Sequence, residues 1–123
     1  MEPWPYKHVS RVEATCRCGC GTLNVDPKLL EEFDDVIARY FDDHEVRVSC
    51  VCRCFKHNQK VGGAKASYHL ASRTLICKAI DFNVAGFTPM QVQKALNIDW
   101  LGGMEYAPTW THLDLGPKRR FTP

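Results

Sequence analysis

The sequence predicts an α+β domain with helices packed on a small antiparallel sheet, on three observations. Two segments behind cap residues repeat apolar side chains at helical spacing, three segments alternate with a period of two, and these follow in the order helix, strand, strand, helix, strand. No internal repeat or low-complexity tract interrupts that order.

Asp26 and Pro27 read as an N-cap and first helical residue, after which Leu29, Leu30, Phe33, Val36, Ile37, Tyr40 and Phe41 form an apolar stripe. The acidic run on its outer face, Glu31, Glu32, Asp34 and Asp35, reads as solvated surface. From Glu45 to Arg53, Val46, Val48, Cys50 and Cys52 alternate with Arg47, Ser49, Val51 and Arg53, the signature of a strand. His57 to Ser67, with Gly62 and Gly63, reads as a loop. A second strand is expected from about Leu75 to Val84, with Asp81 turned away from the face of Ile76, Ile80, Phe82 and Val84. Thr88 and Pro89 open a short helix through Val92, Ala95 and Leu96, ended at the latest by Gly102 and Gly103. In the last strand, Thr109 to Leu115, Trp110, His112 and Asp114 share a face, and Trp110 is either core or a cleft wall.

At 123 residues, 45% hydrophobic and 24% charged, the chain has material for one core, so residues 1–123 form a single domain. The net charge of +2 is spread out except at Lys118, Arg119 and Arg120, which read as a solvated tail, and a nucleic-acid partner is disfavoured. Charges and prolines between Met1 and Arg11 do not form a secretory signal, and no segment is long and apolar enough to span a bilayer. The expectation is a monomer made in the cytoplasm. His8, His44 and His57 fall near loops or element ends and receive no ligand role.

Ser67-Tyr-His69, Ala79-Ile-Asp81 and Trp110-Thr-His112-Leu-Asp114 bring two imidazoles and a carboxylate from separate segments. Three such ligands suit a catalytic zinc ion, which keeps a fourth position for water and lowers that water's pKa from about 15.7 to about 7. On spacing alone, structural, hydrogen-bonded histidines are an equal reading.

These motifs lie within a longer match. Val48 to Asn58 (VSCVCRCFKHN), Val61 to His69 (VGGAKASYH), Ala79 to Asp81 (AID), Gly102-Gly103 and His112 to Gly116 (HLDLG) resemble the zinc D-Ala-D-Ala carboxypeptidase family, especially its small phage and bacterial cell-wall peptidases, which share a zinc fold with the hedgehog signalling domain. Cys16 to Gly21, Asp26 to Leu30 and Pro117 to Phe121 resemble segments around the same core. The resemblance implies one catalytic zinc on His69, Asp81 and His112, with Arg53 anchoring a substrate carboxylate, a task suited to a bidentate guanidinium. Ser67 is a candidate for a hydrogen bond near metal or substrate, or a turn residue for local backbone reasons. Glu105 and Asp114 are both candidates for the general base, Asp114 alternatively as a partner that fixes a ligand imidazole. One departure stands out: Leu70 to Lys78 is longer than the family's segment and free of glycine, so the loop beside the metal is expected to be reshaped.

Cys16, Cys18 and Cys20 form one Cys-x-Cys-x-Cys run and Cys50, Cys52 and Cys54 another, with Cys77 apart. Reduced structural thiols, disulfides between the runs and a second thiolate-bound metal are all compatible with this spacing. If residues 50–54 stay in a strand, the three thiols of the second run share one face and can meet the first run together.

The implied activity is hydrolysis of peptidoglycan stem peptides, as endopeptidase or D,D-carboxypeptidase, with action on the cell wall by a phage-encoded or virion-associated protein. The alternative is a non-hydrolytic zinc-containing binding or structural module of the same fold.

Overall fold

The computed structural model describes residues 3–122. Over them run α1 (Arg11–Ala14), α2 (Pro27–Phe41), β1 (Val46–Cys50), α3 (Phe55–Lys60), β2 (Ala79–Val84), α4 (Pro89–Leu96), β3 (Gly103–Glu105), β4 (Thr111–Asp114) and β5 (Arg119–Phe121). None of these helices is long and apolar enough to cross a membrane.

The two long helices start where their caps predict. The Asp26 carboxylate accepts from the Lys28 N–H at 3.0 Å ahead of Pro27, and Thr88 and Gln91 form a reciprocal capping box on α4. Leu29, Leu30, Phe33 and Ile37 of α2 are fully buried, each such side chain contributing roughly 2 kcal/mol of burial. Phe33 meets Phe82 of β2 edge to face at 4.8 Å, which seats α2 on the sheet.

The strands lie in the order β1-β2-β4-β3-β5. Three neighbouring pairs are antiparallel, but β5 runs parallel to β3, so the sheet is mixed where an antiparallel one was expected. The cause is the basic segment taken for a solvated tail. Arg120 donates to the carbonyls of Asn97 at 2.7 Å, Trp100 at 2.6 Å and Gly102 at 2.7 Å, groups left without helical partners after α4. Those bonds hold residues 119–121 against β3.

Other boundaries shift for local reasons. The strand expected through Arg53 stops at Cys50, after a register irregularity between Val48 and Cys50. The expected loop from His57 contains most of α3, for which Cys54 is the N-cap. β2 begins at Ala79 rather than Leu75, because Ser72 to Leu75 make a turn and Cys77 pairs with the segment at Val25. α1 and β3 are elements the period-based reading did not contain.

Register sorts the two faces of the sheet. Ile80, Leu113 and Met104 are paired side by side across β2, β4 and β3, and all three are completely buried. One residue along, Cys50, Asp81, His112, Glu105 and Phe121 are partnered in sequence across all five strands. The pleat turns this second row to the opposite face from the core row.

Candidate active site

Asp81, His112 and Glu105 therefore share a face because their strands pair in this register, and His69 reaches them from the segment before the 70–78 loop. The backbone locks His69 to Arg53: the Arg53 N–H donates to the His69 carbonyl at 2.8 Å, and Ala71 N–H to the Arg53 carbonyl at 2.9 Å. The lengthened segment closes on itself, with Lys78 N–H donating to the Tyr68 carbonyl at 2.8 Å. No residue of 70–78 is among those that line the cleft.

The three expected ligands converge. His69 Nε2 lies 3.1 Å and His112 Nδ1 2.9 Å from the same atom, Asp81 Oδ1. The His69 Nδ1–H donates to the Val51 carbonyl at 2.8 Å, which leaves the lone pair on Nε2. That Nε2 is buried and makes no well-formed hydrogen bond, although Asp81 Oδ1 stands 3.1 Å away. The His112 Nε2–H donates to Asp114 Oδ2 at 2.8 Å, which leaves its lone pair on Nδ1, toward Asp81. Two imidazole lone pairs and one carboxylate oxygen directed at a common place are the donor set of a three-ligand zinc site, and the orphaned nitrogen is one such an ion would satisfy.

Asp114 is fully buried. Besides His112 it accepts from both terminal nitrogens of Arg119, each at 2.9 Å, and from the Gly116 N–H at 2.9 Å. Burial would raise its pKa, but His112, Arg119 and the Gly116 amide together bring it down to about 2. Burial likewise opposes the charge on Asp81, yet His112 and His69 hold it well below the usual carboxylate range. Burial pulls His69 down, and Asp81 with Cys50 more than offsets this, pushing it up to about 10. His112 also rises, burial being overcome by Asp114 and Asp81. These shifts favour protons on the imidazoles, and a divalent ion held there would take their place and use the lone pairs.

The site opens into a cleft of about 350 Å³ whose lining includes Arg53, Ser67, His69, Asp81, Glu105 and His112. Arg53 reaches it with Nε buried and unpartnered, and its Nη2 donates to Ser67 Oγ at 3.2 Å. Ser67 Oγ also accepts from the His69 N–H at 3.1 Å, so it ties the guanidinium to the ligand backbone. Glu105 lines the cleft directly across the ladder from His112 and is half-buried, with no ion-pair partner among the described residues. Trp110 is a cleft wall, not core. A larger groove, about 700 Å³, lies between α4 and residues 106–108, and no carboxylate or imidazole lines it.

With this geometry in view, residues 7–114 match the sequence profile of the peptidase M15 family. The chain belongs to that family. It is 32% identical over 103 residues to the probable peptidoglycan L,D-endopeptidase MepK of Haemophilus influenzae, covering 77% of this chain and 53% of that protein. This M15 chain thus spans about half the length of the curated relative it matches. No solved structure matches it.

Two residues beside the converging set were not singled out by sequence reasoning. Arg119 clamps the carboxylate that holds His112, and only the basic run in PKRRF pointed toward it. Cys50 places its sulfur 3.5 Å from His69 Nδ1, and Cys50, His69 and Asp81 offer ligand atoms within 4.8 Å of one another. The two-residue alternation was its signal, but register was needed to put it opposite Asp81.

Proposed function

We propose that this chain is a zinc-dependent peptidase acting on peptidoglycan stem peptides. The observation that carries the reading is the buried Nε2 of His69 aimed, without a formed hydrogen bond, at the carboxylate oxygen that also faces His112, in one cleft with the Arg53 guanidinium, whose Nε is unpartnered, and the Glu105 carboxylate. His69, Asp81 and His112 would hold the ion. When bound, zinc supplies an acidified water and polarises a carbonyl.

The chain's own groups divide the remaining work. Val51 and Asp114 set the tautomers of the two ligand histidines, and Arg119 keeps Asp114 ionised so that it goes on accepting from His112. Asp114 is thereby a positioning residue, since its oxygens are taken up by His112, Arg119 and Gly116. Glu105 is the proton carrier, the one of the two candidate carboxylates that reaches the cleft unpaired. Arg53, with Nε unsatisfied, anchors a substrate carboxylate, and Ser67 orients the guanidinium. The endopeptidase activity for which the Haemophilus relative is named favours cleavage within the stem peptide over trimming of a terminal D-Ala.

Incubation of purified protein with peptidoglycan tests this. Peptide fragments are expected to be released, to cease with a chelator and to return with zinc. Intact peptidoglycan in the presence of a fully metal-loaded protein would overturn the peptidase reading and leave a binding module.

A further inference from the structure

The two Cys-x-Cys-x-Cys runs do not meet as runs. Cys50 goes to the His69 side of the cleft and Cys52 is buried in the core, while Cys54 joins Cys16, Cys18 and Cys20, and the four sulfurs lie within 4.8 Å of one another. We propose that Cys16, Cys18, Cys20 and Cys54 form a second, structural metal site for a single thiophilic tetrahedral ion of the zinc class, separate from the catalytic set.

Distance is the first argument. Cys16 Sγ lies 3.5 Å from Cys18 Sγ, which lies 3.7 Å from Cys54 Sγ. A disulfide requires about 2.05 Å, whereas sulfurs about 2.3 Å from a central tetrahedral zinc stand about 3.8 Å apart. Both separations are too long for a disulfide and match those of ligands around one ion.

Exposure is the second. Free cysteines that serve as packing are buried, yet Cys18 and Cys20 are exposed. Apolar packing therefore gives no reason for their position.

The backbone is shaped to the cluster. Gly19 at φ 87° and Gly21 at φ 80° bend the chain through the left-handed region, with nothing within 4 Å of where a Cβ would sit. Glycine is required there by conformation rather than space. The Cys16 N–H donates to the Thr22 carbonyl at 2.9 Å and closes the loop. Peptide N–H groups already point at two of the sulfurs, from Cys54 to Cys16 Sγ at 3.4 Å and from His57 to Cys54 Sγ at 3.3 Å. Such donors stabilise thiolate ligands. Bound there, the ion ties the loop before α2 to the residue that caps α3 and follows Arg53, and so braces that wall of the cleft.

The test is metal content of zinc-supplemented, reduced and dialysed protein, by elemental analysis, for the intact chain and for His69→Ala/His112→Ala. The double-histidine variant leaves all four cysteines in place, and it is expected to retain one zinc per chain. Replacing that zinc by cobalt should produce a thiolate-to-cobalt charge-transfer band that Cys18→Ser/Cys20→Ser lacks. Should the serine variant fail to fold, the metal count and cobalt spectrum of the histidine variant still decide. A histidine variant without bound metal, or an intact mass showing these cysteines joined in disulfides in the freshly isolated chain, would overturn the proposal. Neither readout depends on hydrolysis, so failure of the peptidase reading stays distinguishable.

Discussion

The histidine-aspartate set and the cysteine set gather side chains able to ligate a metal by opposite means. The first is largely a row of the sheet: Asp81, His112 and Glu105 are neighbours because β2, β4 and β3 pair in one register over a row of fully buried Ile80, Leu113 and Met104. The second sits on a loop outside helix and sheet, joined to one residue at the start of α3. A ligand set seated on a core is held without its ion, whereas a set on a loop relies on the ion to order the loop. Changes in the first should remove chemistry and spare the fold; changes in the second should do the reverse.

The largest effect expected is from Asp81→Ala, which removes the oxygen both imidazoles face. Peptidoglycan cleavage should fall to background while circular dichroism stays native; a parallel loss of fold would erase the contrast. Glu105→Gln keeps the shape of the cleft and removes the carboxylate, so kcat should drop by roughly 10²- to 10⁴-fold with bound zinc unchanged. Asp114→Asn leaves His112 less firmly held and should weaken zinc binding by about 10- to 100-fold in a competition titration with a chelator. In the loop, Gly19→Ala forces a side chain to φ 87° and should cost about 1–2 kcal/mol in chemical denaturation, with kcat/KM unaltered. Thr88→Ala, which removes the α4 cap, should cost about 1 kcal/mol in the same measurement and serves as the scale for the loop effect.

The convergence of His69, Asp81 and His112 was legible because each carries its chemistry in its side chain and lies in a compact motif. α2 and α4 were legible from their caps and apolar stripes. Strands of three residues, such as β3 and β5, are too short to display a period, and the parallel placement of β5 depends on Arg120 finding carbonyls roughly twenty residues back in the chain. The fate of Cys50, Cys52 and Cys54 was hidden for a different reason. Alternation assigns faces only while a strand continues, and the irregularity after Val48, followed by the helix cap at Cys54, resets the direction of each thiol.

Gly102 and Gly103 entered as residues that stop a helix. A Cβ on Gly102 would sit 2.0 Å from the Asp114 carbonyl oxygen, and one on Gly103 would sit 2.1 Å from Arg119 Nη1 and 2.5 Å from Asp114 Oδ1. The carboxylate that steers His112 thus occupies room borrowed from a missing methyl. Any descendant of this sequence that acquires a side chain at 103 has to shift the guanidinium or the carboxylate, so a position with no chemistry of its own limits how this site can evolve.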